Sequence, residues 1–478
     1  MRAKASRGTF IAAAALLATV FAAGCRSVPH TARTDGAPDQ TEVGFLLRGL
    51  SPRAVHPAHD GPGNRAKEEA ALEKAGVPVT AAEMYRAVGT TPARLNAAAD
   101  YARLGEEFKK YPGLDAADFK VTDSTAQQRT AVRRMLSEHA NVMVLIRRAA
   151  SKPRCQFKRH WEFPEAYSFP ESLTFDRAAR MLAMESALRA MQGRYYDAIR
   201  EQALGFSVAG QEGSEPDLIA YLAGQECEST ALEGMKSILL IAGPRARVDL
   251  QVRAAVAGDR PRLDHSRAYW GQVLFLIEIT DMLKKEPAAA SYLMSPEEHS
   301  PPPRLSSAKQ WTPKQRTLFG EFMDENLARS LGWNRMAYRV ARQPTYLRRI
   351  ALSRRLGAGD EATDRQPVSA SLPNILPGTF LRPPTWEKDA DMCADAGVTD
   401  AGAAVLAYRA RHGRYPDRLD QAAPRTADPF TGGPLHYKQS GAGFIIYSVG
   451  RDREFNGRVT PTANPRLYFH YPAGQMSR

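Results

Sequence analysis

The chain has 478 residues, 43% hydrophobic and 24% charged, with 65 Lys and Arg against 52 Asp and Glu for a formal net charge of +13. That length accommodates two or three domains, and a basic balance suits nucleic acid or an anionic lipid surface. An export signal argues against nucleic acid, and the charges read as spread along the chain, as solvated helix faces near an anionic envelope surface.

That signal is plain in the first residues. Arg2, Lys4 and Arg7 precede an apolar run over 9–23 that is too short for a comfortable membrane span, the pattern of a secretory leader. Removing those three charges leaves about +10 on the mature chain (13 minus 3). The junction Ala22-Ala23-Gly24-Cys25 resembles the lipobox of bacterial lipoproteins. The resemblance implies that residues 1–25 are a lipoprotein-type signal peptide and that Cys25 is lipidated, anchoring the chain to a membrane of the cell envelope on its periplasmic side. Arg26 follows where Asp retains some lipoproteins in the inner membrane, which favours the outer membrane.

Residues 26–66 contain Pro29, Pro38, Pro52, Pro57 and Pro62 and one apolar patch, Phe45-Leu46-Leu47, and are expected to be a disordered tether. From 67 to 356 the helical period dominates. Helices are expected over Thr80 to Val88, opened by a capping box of Thr80 with Glu83, over Pro92 to Lys110, and over Ser124 to Ala150 with Val132, Leu136 and Val142 to Ile146 inward. Lys152 to Pro170 reads as an irregular aromatic crossing. Then Met181, Met184, Leu188 and Met191, a break at Gly193-Arg194, and Tyr196, Ile199, Ala203 and Phe206 form two facing stripes of an antiparallel hairpin. Leu188 to Ile199 resembles part of one tetratricopeptide unit, without the further copies that an array needs. Helices continue through Leu218 to Leu222 and Leu232 to Ile241, break at Gly243-Pro244, and resume over Tyr269 to Leu283. Ser300 to Pro303 is a stiff linker, and Pro313 to Leu356 is a helical block with Phe319, Phe322, Leu327 and Leu331 inside.

A proline-bearing stretch, 357–385, precedes a tail module, 386–478. Asp400 to Arg411 places Ala403, Leu406, Ala407 and Ala410 on one helix face. Gly413 closes it, with Arg409, Arg411 and His412 at its negative end. Leu435 and Tyr437, Phe444 to Tyr447, and Leu467 to Tyr471 supply three strands around turns at Asp428-Pro429 and Ser440 to Gly443. Phe444, Ile446 and Tyr437 are expected to lie between sheet and helix, and the module to be separable from the helical body.

The order Tyr408-x3-His412-Gly413-x-Tyr415-Pro416, Asp428-Pro429-Phe430, and Phe444 to Gly450 with Asp452 resembles the C-terminal half of the major pseudopilin of type II secretion systems, over residues 398–458 at most. The pilin processing site is missing, and no long apolar helix is read as feeding residue 400. The resemblance implies a calcium loop, with Asp452, Glu454 and Asn456 as side-chain ligands. The residues themselves favour a plain turn, since Asp and Asn bond their own backbone and two arginines adjoin them. Arg147 to Phe157, Glu215-Pro216-x-Leu218-Ile219 and this tail together resemble a family of uncharacterised bacterial envelope proteins, which implies architecture alone.

Besides Cys25, the cysteines are Cys155, Cys227 and Cys393, which permit one disulfide of undetermined pairing. No Cys-x-x-Cys or His-x3-His spacing supports a zinc site, and no nucleophile elbow, Walker loop, His-Glu-x-x-His or kinase signature occurs. Glu162 with Glu165, and His265 beside Asp264, are pairs that any chain of this charge contains. The expected fold is therefore mainly α, a helical-hairpin, tetratricopeptide-like body with a small α+β pseudopilin-like module. The expected function is a lipid-anchored envelope scaffold, without catalytic residues, that binds a protein partner through its helical surface. The alternatives are an accessory subunit of a type II secretion or pilus-like system and an envelope hydrolase.

Overall fold

A computed structural model describes residues 61–111, 124–162, 169, 171–286, 312–353, 355, 385–424, 426–450 and 468–471. Cys25, the tether up to residue 60, Glu165, Ser300 to Pro303, the side chain of Phe322, the stretch 357–384, and Asp452, Glu454 and Asn456 lie outside the described residues. The described chain is mainly helical, with a small three-stranded antiparallel sheet near its end. No described helix is long and apolar enough to cross a membrane.

Helix α1 (Gly61–Lys74) begins earlier than the proline-rich composition suggests, so residues 61–66 are helical. Pro62 sits in the first turn, where its missing N–H costs nothing. Arg65 then fixes the helix by bonding Glu69 at 2.7 Å, Asp281 at 2.5 Å and Asp324 at 3.1 Å. Helix α2 (Ala81–Val88) carries both halves of the capping box: Thr80 Oγ1 accepts from Glu83 N, and Glu83 Oε2 accepts from Thr80 N. After α3 (Ala98–Lys110), the single helix expected over 124–150 is two, α4 (Ala126–Glu138) and α5 (Ala140–Ala150). The break at His139 turns Val142 and Ile146 toward α3, while Val132 and Leu136 are buried on α4, and leaves Val144 exposed.

The hairpin is α6 (Ser172–Met191) and α7 (Tyr195–Glu212), turned at Gly193 with φ 78°. Met181, Met184, Leu188, Ile199 and Phe206 are buried. Met191 and Tyr196 are not, at 42% and 45% exposed, because they flank the turn. Helix α8 (Leu218–Ala242) packs on both members, and its 25 residues join the two helical stretches expected there into one. It is buried along most of its length, with Gln225, Glu228 and Lys236 enclosed among its apolar residues, and so behaves as an interior helix rather than a surface one. Its approach to α7 is close enough to forbid side chains: a Cβ on Gly224 would lie 2.6 Å from Gly213 Cα and 2.9 Å from Ala209 O. Helices α9 (Ala246–Gly258), α10 (His265–Lys285) and α11 (Pro313–Ala341) follow, α11 lying against both α1 and α10.

Helix α12 (Thr385–His412) departs from expectation by its length, since it begins fifteen residues before the helix expected over Asp400 to Arg411. Its first half is Ala, Asp and Met rather than large aliphatics, so it carries little apolar signal. Yet Ala390, Met392, Ala394, Ala396 and Val398 are all buried. Gly413 ends the helix with φ 73°, and its N–H bonds Arg409 O at 2.9 Å. Strands β1 (His436–Ser440), β2 (Gly443–Tyr447) and β3 (Tyr468–Tyr471) form an antiparallel meander in that order, with Tyr437 opposite Ile446 and Ile446 opposite Phe469. Phe444, Ile446 and Phe469 pack on α12, and the Phe469 ring comes within 2.8 Å of where a Gly402 Cβ would stand. Ile445 and Tyr447, on the other face, are half-buried.

One apolar core runs through both parts of the chain. Ile199, Phe206, Leu232, Ile238 and Val252 share it with Met392, Leu406, Phe444 and Phe469. The tail is thus built into the body, and removing 398–478 would strip the apolar cover from α8 and α9. The Gly224 contact gives a sharp test. Gly224→Ala is expected to lower unfolding free energy by about 1–3 kcal/mol through overpacking, measured by urea denaturation; an unchanged midpoint would mean that α7 and α8 do not approach so closely.

Candidate functional site

A dense set of titratable and polar side chains surrounds Asp389, in the first turns of α12. Its carboxylate accepts from Gln225 Nε2 at 2.6 Å, meets His265 Nδ1 at 2.7 Å, and also accepts from Tyr221 OH and Arg349 Nη1. Helix α8 supplies Tyr221 and Gln225 one turn apart, and α10 supplies His265. Arg349 comes from a short helical stretch over 346–353, itself tied back by Arg349 Nε donating to Gln343 O at 2.9 Å. The His265 ring stacks on Tyr221, centroids 4.8 Å apart and 12° between planes, and on Tyr269 at 5.6 Å. Burial by itself would push the Asp389 carboxyl up, but the His265 and Arg349 charges and the Tyr221 hydrogen bond outweigh it and hold the group below its ordinary value.

His265 is not partnered by its neighbour in sequence. Asp264 caps α10, accepting from Ser266 N at 3.0 Å and Ser266 Oγ at 2.7 Å, while His265 turns inward to a carboxylate 124 residues away. Glu162 accepts from Tyr85 OH at 2.8 Å. The Asp389 set spans residues 221 to 389, and no local spacing announces it.

The rest of α12's polar side is matched in the same way. Asp395 pairs with the buried Lys236 at 2.5 Å, Lys236 also reaching Glu233 at 3.1 Å. Asp400 takes both arms of Arg253 at 2.8 and 3.2 Å, and Lys388 meets Glu226. A histidine–carboxylate pair is the raw material of acid–base catalysis. Here, however, His265 is 2% exposed and clamped between two tyrosines, so the arrangement fastens α12 to α8, α10 and the 346–353 helix.

A second polar group lies at the α7–α8 turn. Glu212 accepts from Ser172 Oγ at 2.5 Å, and burial pushes its carboxyl up to about 8. Asp217 caps α8 through Ile219 N at 2.7 Å and is pushed by burial up to about 7, as is Asp249 at the start of α9. Beside this turn an open pocket of about 370 Å³ is lined by Ser207, Gln211, Ser214, Arg262, Asp264 and Arg267 among others. Three of these are committed to the fold: Gln211 donates to Ala149 O and Lys152 O and accepts from Tyr101 OH, Ser214 Oγ donates to Gln211 O, and Asp264 caps a helix. His265 and Asp389 are not in its lining.

Cys155, Cys227 and Cys393 are free, the first two buried, and burial pushes both of those thiols up. Among the described residues, no group of three or more His, Cys, Asp or Glu side chains is placed to hold a metal ion. The sites named from sequence, Cys25 and the loop Asp452, Glu454 and Asn456, lie outside the described residues. No protein-family model matches the chain, and neither a curated protein nor a solved structure matches it.

Two measurements address this polar interior. Asp389→Asn removes the charge opposite His265 and Arg349 and is expected to cost about 3 kcal/mol in urea denaturation; a loss below about 0.5 kcal/mol would mark the pairing as incidental. Glu212, at an ordinary 4.5 when unfolded and about 8 when folded, retains its proton in the native state across that window. Its contribution is therefore complete below about pH 4.5 and is lost as pH rises through 8. Glu212→Gln should flatten the fall in stability between pH 5 and 8.5, and an unchanged slope would place the ionised carboxylate in the native state.

Proposed function

We propose that this chain is a lipid-anchored scaffold of the bacterial cell envelope, held at the periplasmic side by Cys25, in the outer membrane, and presenting its helical surface to a protein partner. Location rests on the order of charge, apolar run and Ala23-Gly24-Cys25 at the N-terminus. The observation that carries the scaffold reading is the use of the Asp389 set. Its most reactive-looking groups are spent on joining four elements into one frame, with His265 closed off by Tyr221 and Tyr269. A rigid frame of packed helices, fixed to a membrane through a long segment, suits holding a partner rather than turning over a substrate.

A second reading is an accessory subunit of a type II secretion or pilus-like assembly. The support for it is the long helix α12 followed, after a connection over 413–435, by a meander that packs back on it through Phe444, Ile446 and Phe469. On that reading the exposed strand β1, bearing Lys438, Gln439 and Ser440, offers a sheet edge to a neighbour. Calcium at Asp452, Glu454 and Asn456 belongs to this reading and not to the first.

Metabolic labelling with a radioactive fatty acid tests the anchor on which both readings rest. Label is expected in the wild-type chain and not in Cys25→Ser; equal label in the two would remove the lipid anchor.

A further inference from the structure

The basic balance of the chain is not evenly distributed. Residues 326–359 contain eight arginines, at 329, 335, 339, 342, 348, 349, 354 and 355, and no Asp or Glu. The fold divides them into two kinds. Three are consumed inside the molecule: Arg329 on Glu325 at 3.3 Å, Arg335 on Glu68 at 2.8 and 3.2 Å, and Arg349 on Asp389. Four others, Arg339, Arg342, Arg348 and Arg355, are exposed, and none is paired with a carboxylate among the described residues. Arg354 lies outside those residues.

Local geometry gathers these four. Arg339 and Arg342 stand three residues apart at the end of α11, on one helix face. Arg348 lies in the short helical stretch that follows, and Arg355 stands seven residues on, just past its described end. At 1.5 Å per residue, all four backbones lie within about 15 Å of the turn at 342–345. The opposite side of this element is anchored: Val340, Tyr346, Leu347 and Ile350 pack against Ala390, Ala394 and Phe430. The arginines are thus held outward by a buried apolar face rather than carried on a loose tail.

We propose that this arginine face docks onto the anionic phospholipid headgroups of the membrane that carries the anchor, an assignment that rests on the envelope reading above. Clusters of about this number of basic side chains bind anionic bilayers through their summed charge, where isolated charges do not. One acyl-type anchor binds reversibly, and a basic patch supplies the second attachment. The chain enters about 20 Å from this element along α11: α1 runs parallel to α11, with Asn64 against Glu325 at its start and Ala75 O accepting from Tyr338 OH at its end, which leads toward the arginines. The 35 residues between Cys25 and Gly61 reach up to about 120 Å, so the anchor leaves the face free to meet the bilayer.

Flotation of the full chain with vesicles of phosphatidylcholine alone, and of phosphatidylcholine with about one-third phosphatidylglycerol, separates the two attachments. Wild type is expected to favour the anionic vesicles by roughly tenfold or more at low salt, falling toward one at about 0.5 M salt. Replacing Arg339, Arg342, Arg348 and Arg355 together by Gln should abolish the preference at an unchanged melting temperature, and replacing them by Lys should keep most of it. No preference in wild type, a preference that survives the Gln replacements, or its loss in the Lys set would overturn the assignment. Tighter binding of duplex DNA through the same four side chains would overturn the choice of lipid. Binding to neutral vesicles reads the N-terminal anchor alone, so its absence beside an intact anionic preference counts against lipidation and leaves the arginine face standing.

Discussion

Everything in this molecule leans on the seam between α12 and the helices beneath it. Small residues make the seam possible: Ala401, Ala403, Ala404 and Ala407 are all buried, and they let α8 and α9 approach without large side chains in between. Such a surface contributes less apolar burial per residue than a leucine seam would. Polar groups therefore settle register. Asp389, Asp395 and Asp400 recur along α12, and each meets its own partners on other elements: Gln225, His265 and Arg349, then Lys236, then Arg253. Sliding α12 by one turn would leave Asp395 and Lys236 buried without each other, at several kcal/mol. The charges set the position that the alanines leave open.

This explains what was legible in the sequence and what was not. Features written by neighbours in the chain read correctly: the Thr80–Glu83 box, the turn at Gly193, the stop at Gly413, and the alternation that turns Phe444 and Ile446 inward. The first half of α12 was hidden because Ala, Asp and Gly carry no apolar period even when their helix is buried. Met191 and Tyr196 follow the stripe spacing, yet the turn lifts them into solvent. The Asp389 set was beyond reach for a different reason, since its members come from four elements and only the packed fold brings them together. His265 was visible next to Asp264, but adjacency in sequence is poor evidence of pairing when the aspartate has a helix end to cap. The arginine tract is a different case: reading the charges as spread along the chain passes over a run without acids, and which arginines stay free of carboxylates emerges only once Glu68, Glu325 and Asp389 have taken theirs.

The same division organises the functional proposal. Interior titratable groups belong to the frame, and Glu212, Asp217 and Asp249 are kept uncharged more readily than free carboxylates because burial denies them water. Outward groups on the 339–355 element belong to the surroundings. A scaffold at a membrane needs both, a body that does not deform and a face that fixes its orientation.

The central claim is that body and tail are one cooperative unit through α12. Native-state hydrogen exchange in low denaturant measures it directly, by comparing amides in the middle of α8, such as Leu232 and Met235, with those of α12, such as Val398 and Ala404. The account predicts that both helices exchange through the same global opening, with equal free energies and equal dependence on denaturant. Exchange of α12 through a separate, lower-energy opening while α8 remains protected would contradict it.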